Sequence, residues 1–257
     1  MVAAAFFDLD KTIIAKSSTL AFSRSLYRAG MLDAPTLAKA GIAQAYFQAF
    51  GADHEKLKRV KDELGSLTTG WSRERVVELI EETVEKVVEP LVYAEALAII
   101  AGHRARGRRV VVVSASPEEI VRPLCAYLGI EDIIATRAEV DDEGRYTGRL
   151  ERFIYGEGKA DAIAAAAAAQ GIDLESSYAY SDSVTDVPML ESVGHPVVVN
   201  PDAALAAHAE TQGWEVRHFR LAVTLRDRMA AKAMPGAAVA TGVAAILAYW
   251  ALRTRRA

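Results

Sequence analysis

The chain has a single cysteine, Cys125. That excludes an internal disulfide and a zinc site built on several cysteines. Cys125 falls in an apolar helical pattern with Leu124 and Leu128, the setting of a buried structural thiol and not of a nucleophile. A basic excess is missing too. The formal net charge is −4, so the footprint of a general nucleic-acid binder is absent and no nucleic-acid partner is expected. The first residues carry no basic stretch, and their apolar run leads straight into acidic residues. A first strand is expected there, not a signal peptide, with the catalytic part in the cytoplasm. What the chain does have is length and apolar content. At 257 residues and 51% hydrophobic, it can form one large domain, or a domain with a sizeable insert.

Phe6 to Leu9 reads as a short buried strand. From about Ser17 to Glu89 the pattern is helical, with apolar residues at steps of three and four in Val76, Val77, Leu79, Ile80, Val84, Val87 and Val88. Breaks near Gly30, near Gly51 and around Gly65 to Gly70 divide that stretch into about four helices. Strands and helices alternate only afterwards. Strands are expected over 109–113, 133–136, 178–181 and 196–200, and a hairpin over 140–150 turning at Asp141-Asp142-Glu143-Gly144. Helices are expected over 117–128, 159–170 and 202–213. The expected fold class is therefore α/β, with a mostly parallel sheet. The helical block of 17–89 becomes an inserted cap over the C-terminal edge of the sheet, where open α/β sheets bind ligands.

The chemistry concentrates at four places. Asp8 and Asp10 stand two apart where the first strand ends, followed by Thr12. Residues at that spacing share one side of an extended segment, so two carboxylates crowd one spot. Such a pair needs a shared proton or a cation, and Mg²⁺ takes oxygen ligands of this kind. Ser114 and Ser116 follow a β-branched strand, a place that suits a phosphate oxygen at a helix N-terminus. An ordinary N-cap explains these serines as well. Lys159 follows Gly156-Glu157-Gly158 at a helix start, where a solvated surface lysine is the plain alternative. Asp182 and Asp186, four apart, sit at a strand-to-helix switch, where helix capping is again the plain alternative.

Taken in order, DxDxT, Ser after a strand, Lys, and SDxxxD resemble the four motifs of the haloacid dehalogenase (HAD) superfamily, in its phosphoserine-phosphatase-like branch. The resemblance spans residues 8 to 186. It implies a Rossmann-like core of residues 1–16 and 90–218, a type 1 helical cap of 17–89, and a tail of 219–257. It implies a Mg²⁺-dependent phosphatase acting on a phosphate monoester through an aspartyl-phosphate. In that scheme Asp8 is the nucleophile and Asp10 the general acid and base. Asp8, Asp182 and the backbone carbonyl of Asp10 hold Mg²⁺, with Asp186 orienting the metal site. Ser114 and Lys159 bind the phosphoryl group, and Thr12 steadies the first loop. Asp10 favours phosphate esters over the halide chemistry of the dehalogenases, which usually lack a second aspartate. Asp10-Lys11-Thr12 mimics the start of the DKTGT motif of ion-pumping ATPases, but Ile13-Ile14 replace Gly-Thr and the chain is far too short for a pump.

The substrate is less legible. Phosphoserine phosphatases usually carry Glu seven residues after the general acid; here Ser17 stands there. Their usual Ser-Gly-Gly is Ser114-Ala115-Ser116. Arg59, Arg73 and Arg75 are available to bind a carboxylate, with solvated helix faces as the alternative. Tyr27, Tyr46, Phe47 and Phe50 suit either an apolar pocket or a helix-bundle core. Residues 233–252 carry no charge, end in Tyr249-Trp250 and are followed by Arg253, Arg255 and Arg256. That is the length and edge of a membrane anchor, although Ala, Gly, Thr and Pro235-Gly236 equally suit a packed or in-plane terminal helix. Expected partners are a phosphorylated small molecule or, with an anchored tail, a lipid phosphate. Phosphoserine phosphatase proper, a phosphotransferase and a non-catalytic scaffold remain alternatives.

Overall fold

The computed structural model describes residues 2–33 and 68–220. The described residues build a seven-stranded sheet flanked by helices. The strands are β1 (Ala4–Phe7), β2 (Arg109–Pro117), β3 (Asp132–Val140), β4 (Tyr146–Arg152), β5 (Tyr178–Ser181), β6 (His195–Val199) and β7 (Glu215–Arg217). Their order is β4-β3-β2-β1-β5-β6-β7, with β4 antiparallel and every other pairing parallel. β1 lies at the centre and all four of its residues are buried, as its apolar sequence requires. After β1 the chain builds outward on one side through β2 and β3, then crosses to the other side with β5. The C-terminal ends of β1 and β5 thus flank the switch point, where open sheets of this kind form their ligand crevice.

The helices are α1 (Ser18–Arg28), α2 (Arg73–Val88), α3 (Ala94–Ala105), α4 (Glu118–Tyr127), α5 (Glu157–Gln170), α6 (Val187–Glu191) and α7 (Ala203–Gln212). The start signals in the sequence act as physics expects. Ser17, Ser72 and Asp202 cap α1, α2 and α7 by accepting a backbone N–H of the first turn. Gly171 and Gly213 end α5 and α7 in left-handed conformation. The apolar stripe of α2 buries Val76, Leu79, Ile80, Val84 and Val88, and the helix packs on α1 and α4. Under the sheet, Phe6, Val111, Val113, Ile163, Ala179, Met189, Leu190 and Val198 belong to one buried cluster.

The expected fold class is found. Three elements escape the sequence pattern: α3, the short α6, and β7, which is three residues long and mostly exposed at the sheet edge. β2 runs four residues past the expected end at Val113. The strand bulges between Ser114 and Pro117, where its register with β3 shifts.

Residues 13–15 and 91–93 run side by side. Ala15 N–H donates to Leu91 O at 2.7 Å and Tyr93 N–H donates to Ile13 O at 2.9 Å. A second tie lies at the β3–β4 hairpin. There Gly70 N–H donates to Tyr146 O at 2.8 Å, Tyr146 N–H to Trp71 O at 3.0 Å, and Arg73 N–H to Gly144 O at 3.0 Å. Of the four helices expected before Pro90, α1 and α2 are described. Those expected between them, with Tyr46, Phe47, Phe50 and Arg59, lie outside the described residues. So does the apolar tail of 233–252. Among the described residues no helix is long and apolar enough to cross a membrane. Cys125 is buried, and burial pushes its thiol up to about 12, as a structural cysteine requires.

Candidate active site

β1 ends at Phe7, and Asp8 follows with its backbone N–H bonded to Tyr180 O on β5 at 2.9 Å. The next residues turn sharply. Ile13 and Ile14 N–H both donate to Leu9 O, and Lys11 takes φ +61°, a left-handed conformation unusual for a residue with a side chain. This turn places the Asp8 and Asp10 carboxylates over the crevice.

Lys159 reaches the same crevice from the first turn of α5. Gly156 opens that helix with φ +55°. Gly158 is required for a second reason: a Cβ there would lie 2.9 Å from Phe153 O. Lys159 is 3% exposed. Its Nζ donates to Asp8 Oδ1 at 2.6 Å and to Asp186 Oδ2 at 2.7 Å. Asp186 Oδ2 also accepts from the Ser181 hydroxyl at 2.6 Å. Burial works against the Lys159 charge, but Asp186 and Asp8 outweigh it and hold the ammonium well above its ordinary range. The surface-lysine alternative is thereby excluded.

Capping is excluded as well. The turn after β5 is capped by the Ser183 hydroxyl, and Asp186 makes no side-chain cap to α6. Asp182 is buried beside Lys11, with Nζ to Oδ2 at 3.7 Å. Burial, reinforced by Asp186, pushes its carboxyl up to about 7 against the pull of Lys11 and Lys159. Asp8 is likewise raised, by burial first and by Asp186, Asp182 and Asp10, although Lys159 opposes the shift. Asp10 is raised by burial, and hydrogen bonds from Ser18 and Ser116 oppose it.

Ser114 and Ser116 are not N-caps either. α4 begins at Glu118 after Pro117, with no side-chain cap. The helix start is also farther from Ser114 than expected, and its first turn carries Glu118 and Glu119. Those acids are neutralised: Glu118 by Arg122 and Arg137, Glu119 by Arg73 at 2.9 Å. Ser114 lies in β2, 1% exposed, where its hydroxyl accepts from Ser116 N–H at 3.2 Å. The Ser116 hydroxyl donates to Asp10 Oδ2 at 3.1 Å, and Ser18 N–H donates to Asp10 Oδ1 at 2.8 Å.

Thr12 is fully buried and its hydroxyl makes no hydrogen bond among the described residues. Arg73 is committed to Glu119, and Arg75 pairs with Glu78 at 3.0 Å on an exposed face. Tyr27 is 45% exposed and therefore belongs neither to a helix-bundle core nor to a closed pocket.

Ser18 and Lys11 are site residues that the motifs alone did not mark, and Ser181 is the first letter of SDxxxD without an assigned role. Lys11 lies inside the first motif, so adjacency is its only signal. Ser18 had none.

The donor set suits a hard dication. Asp8, Asp10, Asp182 and Asp186 gather at one crevice, where among the described residues Lys159 and Lys11 are the cations that pair with them, and burial first of all raises the carboxyls of Asp8, Asp10 and Asp182. Among the described residues no three His, Cys, Asp or Glu side chains converge to cage an ion. Mg²⁺ does not need such a cage, since it keeps several waters and takes one or two carboxylates.

The haloacid dehalogenase-like hydrolase family matches residues 5–191, a span that contains every residue of this site. The chain is 51% identical over 241 residues to a probable phosphatase of Mycobacterium tuberculosis strain H37Rv, covering 94% of this chain and 83% of that one. It is 34% identical over 246 residues to a phosphoserine phosphatase of the same strain, covering 95% and 78%. A crystal structure of a protein of unknown function from Bordetella pertussis Tohama I superposes with a TM-score of 0.73 at 30% identity, covering 84% of this chain and 98% of that one. The order of the motifs, the sheet that carries them and these relatives agree: the chain belongs to the haloacid dehalogenase-like hydrolase family.

Proposed function

We propose that this protein is a phosphatase of the phosphoserine-phosphatase-like branch, hydrolysing a phosphate monoester through an aspartyl-phosphate on Asp8. The observation that carries this reading is the pair of unlike aspartates. Asp8 is clamped by Lys159, which fixes one oxygen and leaves the carboxylate aimed from the strand end. Asp10 is held separately by Ser18 and Ser116. One carboxylate is thus placed for attack and the other for proton transfer.

In the first step an Asp8 oxygen attacks phosphorus, the ester P–O bond breaks, and Asp10 gives its proton to the leaving oxygen. In the second, water attacks the same phosphorus, Asp10 takes the water proton, and the bond to Asp8 breaks to release phosphate. The transferring group spreads negative charge over its oxygens, so fixed positive charge lowers the barrier. Lys159 supplies one such charge, and the Ser114 hydroxyl supplies a donor. Asp8, Asp182 and the Asp10 carbonyl would hold Mg²⁺, which when bound adds Lewis-acid stabilisation of the phosphoryl oxygens. Asp186 keeps Lys159 charged and in place.

Residues 17–89 form the cap in this reading, entering and leaving beside Ile13–Ala15 and Leu91–Tyr93. Ser17 caps α1 where phosphoserine phosphatases usually carry Glu, so the ammonium of phosphoserine has no carboxylate partner at that position. A phosphorylated small molecule other than phosphoserine is therefore the favoured substrate class.

A phosphate-release panel of phosphoserine, sugar phosphates, nucleotides and lysophosphatidate, run with Mg²⁺ and with EDTA, tests the proposal. Release from at least one, lost with EDTA and lost in Asp8→Asn, is expected. Turnover by folded Asp8→Asn would overturn the nucleophile.

A further inference from the structure

We infer that Ser116 and Ser18 are positioning residues for Asp10, setting the orientation from which it protonates the leaving oxygen. The inference rests on the phosphatase reading above and adds to it a device that the shared motifs do not contain. The usual Ser-Gly-Gly has no side chain at the third position, whereas this chain has Ser116.

The geometry is a two-sided clamp. One Asp10 oxygen takes the Ser18 backbone N–H at 2.8 Å and the other takes the Ser116 hydroxyl at 3.1 Å. Ser116 is in turn fixed from three directions. Its N–H is tied to the Ser114 hydroxyl at 3.2 Å. Its own oxygen accepts the Ser18 hydroxyl at 2.9 Å and lies 3.3 Å from Thr19 Oγ1. Ser18 and Ser116 are 0% and 7% exposed, so water does not readily replace these bonds. The β2 bulge turns Ser116 toward Asp10, and the capped start of α1 brings Ser18 N–H to the opposite oxygen.

A carboxylate held by two donors on opposite oxygens has lost its rotation about the Cβ–Cγ bond. Proton transfer depends steeply on such geometry. Ser116 touches Asp10 and not the reacting atoms, so its effect depends on how much the leaving group needs an acid.

The test compares single-turnover release from two probes, p-nitrophenyl phosphate, whose leaving group needs little protonation, and phenyl phosphate, whose leaving group needs more. Ser116→Ala is expected to slow phenyl phosphate by about thirty-fold and p-nitrophenyl phosphate by about three-fold, with KM for both nearly unchanged. Ser18→Ala keeps the backbone N–H but removes the hydroxyl that donates to Ser116 and also acts on Asp10, so it should shift the ratio in the same direction. Ser116→Thr keeps the hydroxyl and should restore the wild-type ratio. Equal losses on both probes, no loss on either, or a change confined to KM would overturn the positioning role while leaving the phosphatase reading intact. A wild-type enzyme that releases phosphate with Mg²⁺ from neither probe nor any member of the panel above would overturn both.

Discussion

His103 should make this fold acid-sensitive in a window set by one imidazole. The residue lies on α3, 5% exposed, packed edge-on to Phe7 and Tyr180, with Nε2 2.8 Å from the Tyr180 hydroxyl. Burial, then the nearby charges of Arg108, Arg106 and Arg217, lower it from 6.5 to about 4. The folded state therefore binds this proton less tightly than the open chain. The stability His103 contributes is fully present above about pH 6.5 and is lost as pH falls toward 4. The gap between 6.5 and about 4 sets an upper bound of about 3 kcal/mol, which solvent screening of the nearby arginines reduces, still a sizeable share of the roughly 5–15 kcal/mol that holds a domain together. Urea unfolding of the wild type and of His103→Gln, from pH 4 to 8, reads the difference directly. The buried carboxylates titrate in both proteins and cancel in the comparison. The wild type should lose about 1–3 kcal/mol more than the variant between pH 6.5 and 4. Parallel curves would refute the argument, because His103 would then be protonated as easily in the fold as outside it.

Two further outcomes follow from the site. Lys159→Met should abolish turnover and, in chelator-treated protein, destabilise by about 3–5 kcal/mol, because Asp8 and Asp186 would be left buried without their shared cation; a loss under about 1 kcal/mol in urea unfolding would contradict the clamp. Thr12→Val removes a buried hydroxyl without a partner and should leave thermal stability unchanged or raised, whereas a loss of more than about 1 kcal/mol would show that the hydroxyl is bonded after all.

The motifs were legible because phosphoryl chemistry demands fixed residue types at strand ends, and strand ends are visible where β-branched runs stop. Val110 to Val113 pointed to Ser114, and Tyr178 to Ser181 pointed to Asp182. The bulge after Ser114 was not visible, since a register shift leaves no mark in hydrophobic alternation. The clamp on Asp10 depends on that bulge and on a contact between residues 18 and 116, so it lay beyond local pattern. α3 was hidden by composition. Ala, Leu and Ile crowd nearly every side of that helix, so it lacks the polar stripe that marks a surface helix. β7 was hidden for the opposite reason, because Glu215 and Arg217 carry charge on a short edge strand. Lys159 shows the limit of residue type alone. Nothing in Gly-Glu-Gly-Lys separates a surface lysine from one buried between two carboxylates, and only the fold made the distinction.

The most direct test is to trap the covalent intermediate. Enzyme quenched in acid during turnover of a released substrate, then reduced with borohydride, should yield homoserine in place of aspartate at position 8 when its peptides are weighed, with Asp10 unchanged. Unmodified Asp8 in enzyme caught turning over, or modification at another carboxylate, would contradict the assignment of Asp8 as the nucleophile.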